Sequence, residues 1–168
     1  STASAITCAV LMPHAPVLIP EIGGSRGNAA RASIDAMRAA AAAVVRSRPD
    51  ALVVISPHSP RRPGAFGVWT ESQIAGTFDQ FGAPDTAVSL PNDRTLAKAI
   101  RNEMSRRDLE SWEIRGHPLD HGAMVPLWFL AAAGWTGKAV LIGLNYPGER
   151  GLRELGEAIR PLFLQVLL

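Results

Sequence analysis

Short runs of apolar residues alternate along the chain with longer segments in which apolar residues recur every three or four positions. The clearest run is residues 52–56 (Leu-Val-Val-Ile-Ser), which ends at Pro57. A short, continuous apolar run that is rich in β-branched residues predicts a strand buried on both faces. Further strands are predicted at residues 5–12, 66–70, 86–90, 112–114 and 139–144.

Helical periodicity separates these strands. In residues 25–47 the apolar side chains fall on one face of a helix and end before Arg48-Pro49. Further helices are predicted from residue 92 or 93 to 107, and at 125–133 and 151–166, whereas residues 76–84 are expected to form a long loop with two exposed phenylalanines. Strands that alternate with helices predict an α/β fold, with a mostly parallel central sheet and helices on both faces. The 168 residues show no domain boundary, so residues 1–168 are expected to form a single domain.

Composition narrows the class of protein. An apolar fraction of 47% and a net charge of +2 are typical of a globular protein and argue against disorder. The basic residues are scattered, which disfavours a nucleic-acid surface. No apolar stretch reaches the ~18 residues that a membrane-spanning helix needs. The single cysteine, Cys8, is consistent with a reducing cytoplasm.

Two histidines occupy equivalent places in the predicted sheet. His14 and His58 each stand between two prolines, directly after a predicted apolar strand. Ligands of α/β proteins bind outside the carboxyl ends of the strands, and prolines stiffen the backbone that carries a metal ligand. The pattern therefore indicates a metal site formed by His14 and His58. The alternative is that both are ordinary polar loop residues.

A third histidine precedes a predicted helix. His121 lies in Asp120-His121-Gly122, where a helix amino terminus and a glycine leave room for an anionic oxygen. Asp120 could instead serve only as a helix cap, with His121 at the surface. His117 is not expected to be a ligand, because Pro118 prevents the helical spacing that would pair it with His121.

Four short motifs in register resemble the class III extradiol ring-cleavage dioxygenases, in particular their catalytic subunits, and most closely the branch associated with AMMECR1 and Memo proteins. The resemblance runs from about residue 6 to residue 159. The motifs are residues 12–16 with 20–23, 55–58, 80–84 and 119–127.

The resemblance implies a non-haem Fe(II), with zinc as the alternative, held by His14, His58 and a carboxylate. It also implies a catecholic substrate and dioxygen, with His121 acting as the catalytic histidine beside the metal. Phe81 and Asp120 belong to the same motifs and are expected to contact the substrate. Arg61 and Arg62 follow His58 and could attract a substrate carboxylate, although a solvated loop is the simpler interpretation.

The family pattern continues with the acid–base histidine and then the carboxylate ligand, and the 168 residues show no match to either. Glu21, Asp79 and Asp120 are the nearby carboxylates that could replace that ligand. The expected function is therefore ring cleavage, or that of a degenerate relative, with a non-catalytic Memo-like metal-binding or interaction protein as the alternative. A metal-dependent hydrolase is a weaker option.

The apolar residues 161–168 exceed what one helix face can hide. They lead us to expect a homodimer formed through the C-terminal helix.

Overall fold

The computed structural model describes residues 6–146 and 151–163. Its strands and helices follow one another in an order that the apolar pattern broadly predicts. The strands are β1 (Ala51–Ser56), β2 (Ala65–Trp69), β3 (Gln73–Phe78), β4 (Ala83–Pro91), β5 (Glu110–Ile114) and β6 (Lys138–Gly143). The α-helices are α1 (Pro20–Gly23), α2 (Arg31–Arg46), α3 (Arg94–Arg106), α4 (His121–Ala132) and α5 (Leu152–Ile159). Short 3-10 helices span Pro16–Leu18, Gly24–Ala30, Asp79–Phe81 and Arg160–Phe163.

The central sheet has four strands in the order β1-β6-β2-β5. β1 is parallel to β6 and β2 is parallel to β5, whereas β2 and β6 are antiparallel. β3 and β4 form a separate antiparallel hairpin. Within the described residues, no helix has the length and apolar character needed to cross a membrane.

Strand β6 shows how the two faces of the sheet are covered. Ala139 and Leu141 belong to the core cluster that contains residues of α2, α4 and the hairpin. Val140 and Ile142 point the other way, into the cluster that contains residues of α3 and α5. Because consecutive side chains of a strand face opposite sides, continuous apolar character means burial on both. The predicted α/β architecture, with helices on both faces of a mostly parallel sheet, is confirmed.

The first predicted strand is wrong. The described part of it, residues 6–12, is not assigned to a strand, and residue 5 lies outside the described residues. Leu11 is 99% exposed and Val10 is 45% exposed. An apolar run shows that a segment can be buried, but a strand also needs a neighbouring backbone to pair with. Here the segment lies beside the core through Cys8 and Met12 without entering the sheet.

The loop predicted at residues 76–84 is also wrong, because most of it belongs to the β3–β4 hairpin. Phe78, expected to be exposed, is fully buried, whereas Phe81 is half-buried. Along β3 every second residue is buried, which is the alternation of a strand with one covered face. Gly82 ends the intervening turn at φ 78°, a conformation that glycine adopts readily.

Three helix boundaries differ from those predicted. Residues 24–30 are 3-10 helix and lead into α2. Helix α4 begins at His121 and not at residue 125, because Asp120 caps it. The last predicted helix consists of α5 and a 3-10 turn that ends at Phe163, and residues 164–166 lie outside the described residues.

Candidate metal centre

Three separate parts of the fold carry the histidines of the candidate site. His14 ends the extended segment before the first 3-10 helix, and His58 follows β1 after one proline. His121 is the first residue of α4. The carboxyl end of β1 and the amino end of α4 therefore meet beside the N-terminal segment. The structure brings His14, His58 and His121 together, as their positions in the sequence predict.

The imidazole rings converge closely. The Nε2 atoms of His14 and His58 lie 3.1 Å apart. The rings of His58 and His121 stack, with centroids 4.3 Å apart and planes inclined by 26°. One ring nitrogen from each of the three histidines can be chosen so that all lie within 4.8 Å of one another.

This spacing fits a transition-metal ion. Two imidazole nitrogens at about 2.1 Å from one ion and 3.1 Å from each other subtend about 95° at that ion, the angle between adjacent ligands of an octahedral site. Both Nε2 atoms must then present lone pairs, so binding replaces the proton of the His14–His58 hydrogen bond. Imidazole nitrogens suit iron, zinc and copper, and the geometry leaves the choice among them open.

His121 is held toward its neutral form. Burial lowers the pKa of its imidazole, and the neighbouring His58 and His14 lower it further, whereas the Asp120 carboxylate opposes them. A neutral imidazole can accept a proton or donate a lone pair to a metal at neutral pH. His121 can therefore act either as a proton acceptor or as a third metal ligand.

Asp120 connects the elements that carry His58 and His121. Its Oδ1 accepts hydrogen bonds from the Ser56 hydroxyl and from the Ala123 backbone N–H at 3.2 Å. Its Oδ2 accepts a hydrogen bond from the Ser59 hydroxyl at 2.7 Å. The helix cap considered for Asp120 is confirmed, while a contact with substrate stays a prediction. Sequence reasoning missed Ser56 and Ser59, although their places two residues before and one after His58 were the available signal.

Among the other predicted substrate residues, Phe81 contacts the histidine cluster, whereas the two arginines contact other groups. The Phe81 ring meets the His121 ring edge to face, with centroids 5.4 Å apart. Arg61 folds back and its guanidinium donates hydrogen bonds to the backbone carbonyl of Pro57. Arg62 lies over the Trp112 ring, 4.0 Å from the ring centroid. Phe81 thus borders the histidines, and Arg61 braces the loop that carries His58.

The carboxylates considered as a third ligand are not part of the cluster. The group of described residues that could hold one ion contains His14, His58 and His121, with no acidic side chain. Asp79 and Glu21 are exposed, and Asp79 accepts a hydrogen bond from the Gln80 backbone N–H. His117 is exposed and lies outside the cluster, as Pro118 leads one to expect.

Comparison with known proteins identifies the family of this chain. A family model described as the catalytic LigB subunit of aromatic ring-opening dioxygenase matches residues 8–166. A curated relative, protein CA_C1420 of Clostridium acetobutylicum, is 26% identical over 129 residues, which cover 71% of this chain. The match spans only 28% of that relative's length. Since the family match covers nearly the whole chain, this protein belongs to the LigB family of aromatic ring-opening dioxygenase catalytic subunits, the class III extradiol type.

Proposed function

We propose that this protein opens the ring of a catecholic aromatic by extradiol cleavage with dioxygen, using a non-haem Fe(II). The observation that carries the proposal is the convergence of His14, His58 and His121 on one point. Membership of the ring-opening dioxygenase family supports the type of reaction. Zinc is the alternative metal, because imidazole ligands suit it equally well.

In this proposal His14 and His58 would hold the metal, with His121 beside them. Bound Fe(II) would supply a centre that takes both the substrate oxygens and dioxygen. The chain's own contribution is a stiff arrangement of ligands. Each of the two histidines stands between prolines, and the Arg61 guanidinium closes the turn after β1 onto the Pro57 carbonyl.

His121 takes the role of acid–base catalyst. Its lowered pKa keeps the imidazole neutral, so that it can accept a proton from a catechol hydroxyl at neutral pH. Phe81, at the edge of the His121 ring, offers an aromatic surface against which a flat substrate can pack. Arg61 is proposed to attract a substrate carboxylate. A substrate contact from Asp120 would require one of its present hydrogen bonds to be exchanged.

The test is to load the protein with Fe(II) without oxygen and then to add air and a catechol. We expect about one iron per chain, oxygen uptake, and a coloured ring-opened product. A second assay with a carboxylated catechol, on the wild type and Arg61→Ala, tests the carboxylate contact. Stoichiometric iron without oxygen uptake on either catechol would contradict ring cleavage.

A non-catalytic metal-binding or interaction protein of the Memo type is the second candidate. The lack of an acidic side chain in the cluster of the described residues favours it, because non-haem Fe(II) oxygenases use two histidines and one carboxylate. This candidate predicts tight zinc binding and no consumption of oxygen. The same iron and oxygen assay therefore separates the two functions.

A homodimer in the cytoplasm completes the proposal. Leu152 at the start of α5 is 43% exposed and provides apolar surface for a second copy. The single cysteine, Cys8, is unpaired, which suits a reducing compartment.

A further inference from the structure

The Asp120 carboxylate lies where three parts of the fold meet. One oxygen accepts hydrogen bonds from the Ser56 hydroxyl, at the end of β1, and from the Ala123 backbone N–H, in the first turn of α4. The other oxygen accepts a hydrogen bond of 2.7 Å from the Ser59 hydroxyl, in the loop after β1. Both serines are nearly inaccessible, with 0% exposure for Ser56 and 3% for Ser59. Buried hydrogen bonds whose partners are all satisfied hold the groups they join in one arrangement.

The two serines flank His58, and Asp120 directly precedes His121. Ser56 Oγ also accepts a hydrogen bond from the His58 backbone N–H at 3.2 Å. A continuous path of hydrogen bonds therefore runs from the backbone of His58 through Ser56 to Asp120 and into α4. The two imidazoles at the ends of this path are the stacked pair, with centroids 4.3 Å apart.

A helix cap alone does not need these contacts. Asp93 caps α3 with one oxygen, which accepts a hydrogen bond from the Leu96 backbone N–H at 3.0 Å. Asp120 caps α4 in the same way and, in addition, receives both serine hydroxyls. The close approach is also built into the backbone, since a Cβ on Gly122 would lie 2.6 Å from Ser56 Oγ.

We infer that Asp120, together with Ser56 and Ser59, is a positioning residue that fixes the metal-binding His58 relative to His121, the proposed acid–base residue. This inference rests on the proposed metal-dependent function and deepens it. Groups that orient metal-binding residues from outside the site usually contribute 10–100-fold to metal affinity. The carboxylate acts through the two histidine-bearing backbones and needs no contact with the metal.

The experiment compares Asp120→Ala, Ser59→Ala and Asp120→Asn with Asp93→Ala, which removes an equivalent cap at a distance from the histidines. Co(II) is the probe, because its absorption spectrum reports ligand geometry and its titration gives a dissociation constant. We expect Asp120→Ala and Ser59→Ala to weaken Co(II) binding ~10-fold or more and to alter the spectrum. Asp93→Ala should leave both unchanged, although it removes the same kind of helix cap.

Asp120→Asn is the conservative rescue. Its amide oxygen can still accept from Ala123 and Ser56, while its NH₂ group donates to a rotated Ser59 hydroxyl. We expect Co(II) affinity and spectrum close to those of the wild type. If asparagine is as harmful as alanine, the carboxylate acts through its charge and the positioning role is overturned. It is equally overturned if Asp120→Ala binds Co(II) as the wild type does, or if Asp93→Ala weakens binding by the same factor.

A metal-free measurement separates this inference from the proposed function. Nuclear Overhauser contacts between the His58 and His121 ring protons should be present in the wild type and in Asp93→Ala. They should be lost in Ser59→Ala. This variant leaves the cap of α4 intact, so it tests the inference even if Asp120→Ala does not fold. A wild type that binds no metal would refute the proposed function, and the ring contacts would still decide the inference. Unchanged contacts in Ser59→Ala and Asp120→Ala would refute it.

Discussion

The three histidines of the site differ in how their imidazoles are engaged. His14 and His58 share a hydrogen bond between their Nε2 atoms, 3.1 Å apart. His121 stacks on His58 and meets the edge of Phe81. The first pair therefore has the spacing of two ligands to one ion, while His121 lies between that pair and an aromatic surface. The different contacts of the three imidazoles therefore suggest that these histidines have separate roles within one cluster.

Alanine substitutions test this separation of roles. We expect His14→Ala and His58→Ala to lose bound metal, because removal of one of few ligands is rarely tolerated. His121→Ala should keep its metal and lose ~10²-fold or more in catechol turnover, a typical acid–base contribution. Metal content and oxygen uptake are measured on the same samples, with the exposed His117→Ala as control. Loss of metal in His121→Ala would make His121 a ligand.

The lowered pKa of His121 predicts a loss of stability in acid. As the pH falls through about 6.5, the imidazole of the unfolded chain takes up a proton before the buried one does. The unfolded state then binds more protons, so the free energy of unfolding decreases with falling pH. The contribution of neutral His121 is complete above the unfolded pKa and is lost as the pH falls through the lower, folded value.

Urea unfolding of the metal-free protein at pH 7.5 and 5.5 measures this effect. We expect His121→Gln to lose less stability on acidification than the wild type, because it removes the buried titrating group. His117→Gln, which removes an exposed imidazole, should behave as the wild type does. An identical acid dependence in all three proteins would contradict the prediction.

At the scale of elements, the site depends on how closely α4 approaches the end of β1. Gly122 is buried in the first turn of α4, and its backbone faces Ser56 and Pro57. A Cβ there would lie 2.8 Å from Asp120 Oδ1 and 3.1 Å from Pro57 Cδ. The Pro57 ring is closed onto its own backbone nitrogen, so its Cδ cannot rotate aside. The helix and the strand are therefore locked at a distance that only glycine permits.

Gly122→Ala is expected to destabilise the fold by roughly 1–3 kcal/mol, the usual cost of overpacking, and to weaken metal binding. Gly156→Ala is the matched control, since a Cβ at this position in α5 meets nothing within 4 Å. It should stabilise the protein by about 0.4–1 kcal/mol, because alanine restricts the unfolded chain. Urea unfolding compares the two, and equal effects would show that α4 can move away from β1.

At the scale of the whole molecule, large apolar side chains are exposed at several places among the described residues, and two of these places are candidates for an interface. One is the N-terminal segment, where Leu11 is 99% and Ile6 is 55% exposed. The other is α5, where Leu152 is 43% exposed while Leu155 and Ile159 are buried in the core. The apolar face of α5 that carries Leu155 and Ile159 is thus packed within the chain. A second copy would contact the outer face of this helix.

We predict a homodimer through the C-terminal helix, and light scattering measures it. Leu152→Ser should shift the dimer toward monomer by removing apolar contact area. Leu11→Ser, at the other exposed site, should leave the dimer intact. The opposite pattern would place the interface at the N-terminal segment, and a wild-type monomer at micromolar concentration would exclude the dimer.

The sequence by itself determined the strands of the central sheet and which three histidines form the candidate site. Five of the six predicted strands form, four of them in the central sheet, because short apolar runs rich in β-branched residues favour strands buried beneath helices. The motifs around His14, His58 and His121 likewise predicted one site. Only His58 follows a strand, however, because the strand predicted before His14 does not form.

Only the tertiary structure decided which apolar segments pair and how the histidines are held. Residues 6–12 have the composition of a strand but no described backbone partner, whereas residues 76–78 pair in a hairpin although Gly76 disfavours a strand. The hydrogen bonds from Ser56 and Ser59 to Asp120 join residues 61 or more positions apart in the chain. No local pattern encodes such contacts, because they exist only after β1 and α4 have packed together.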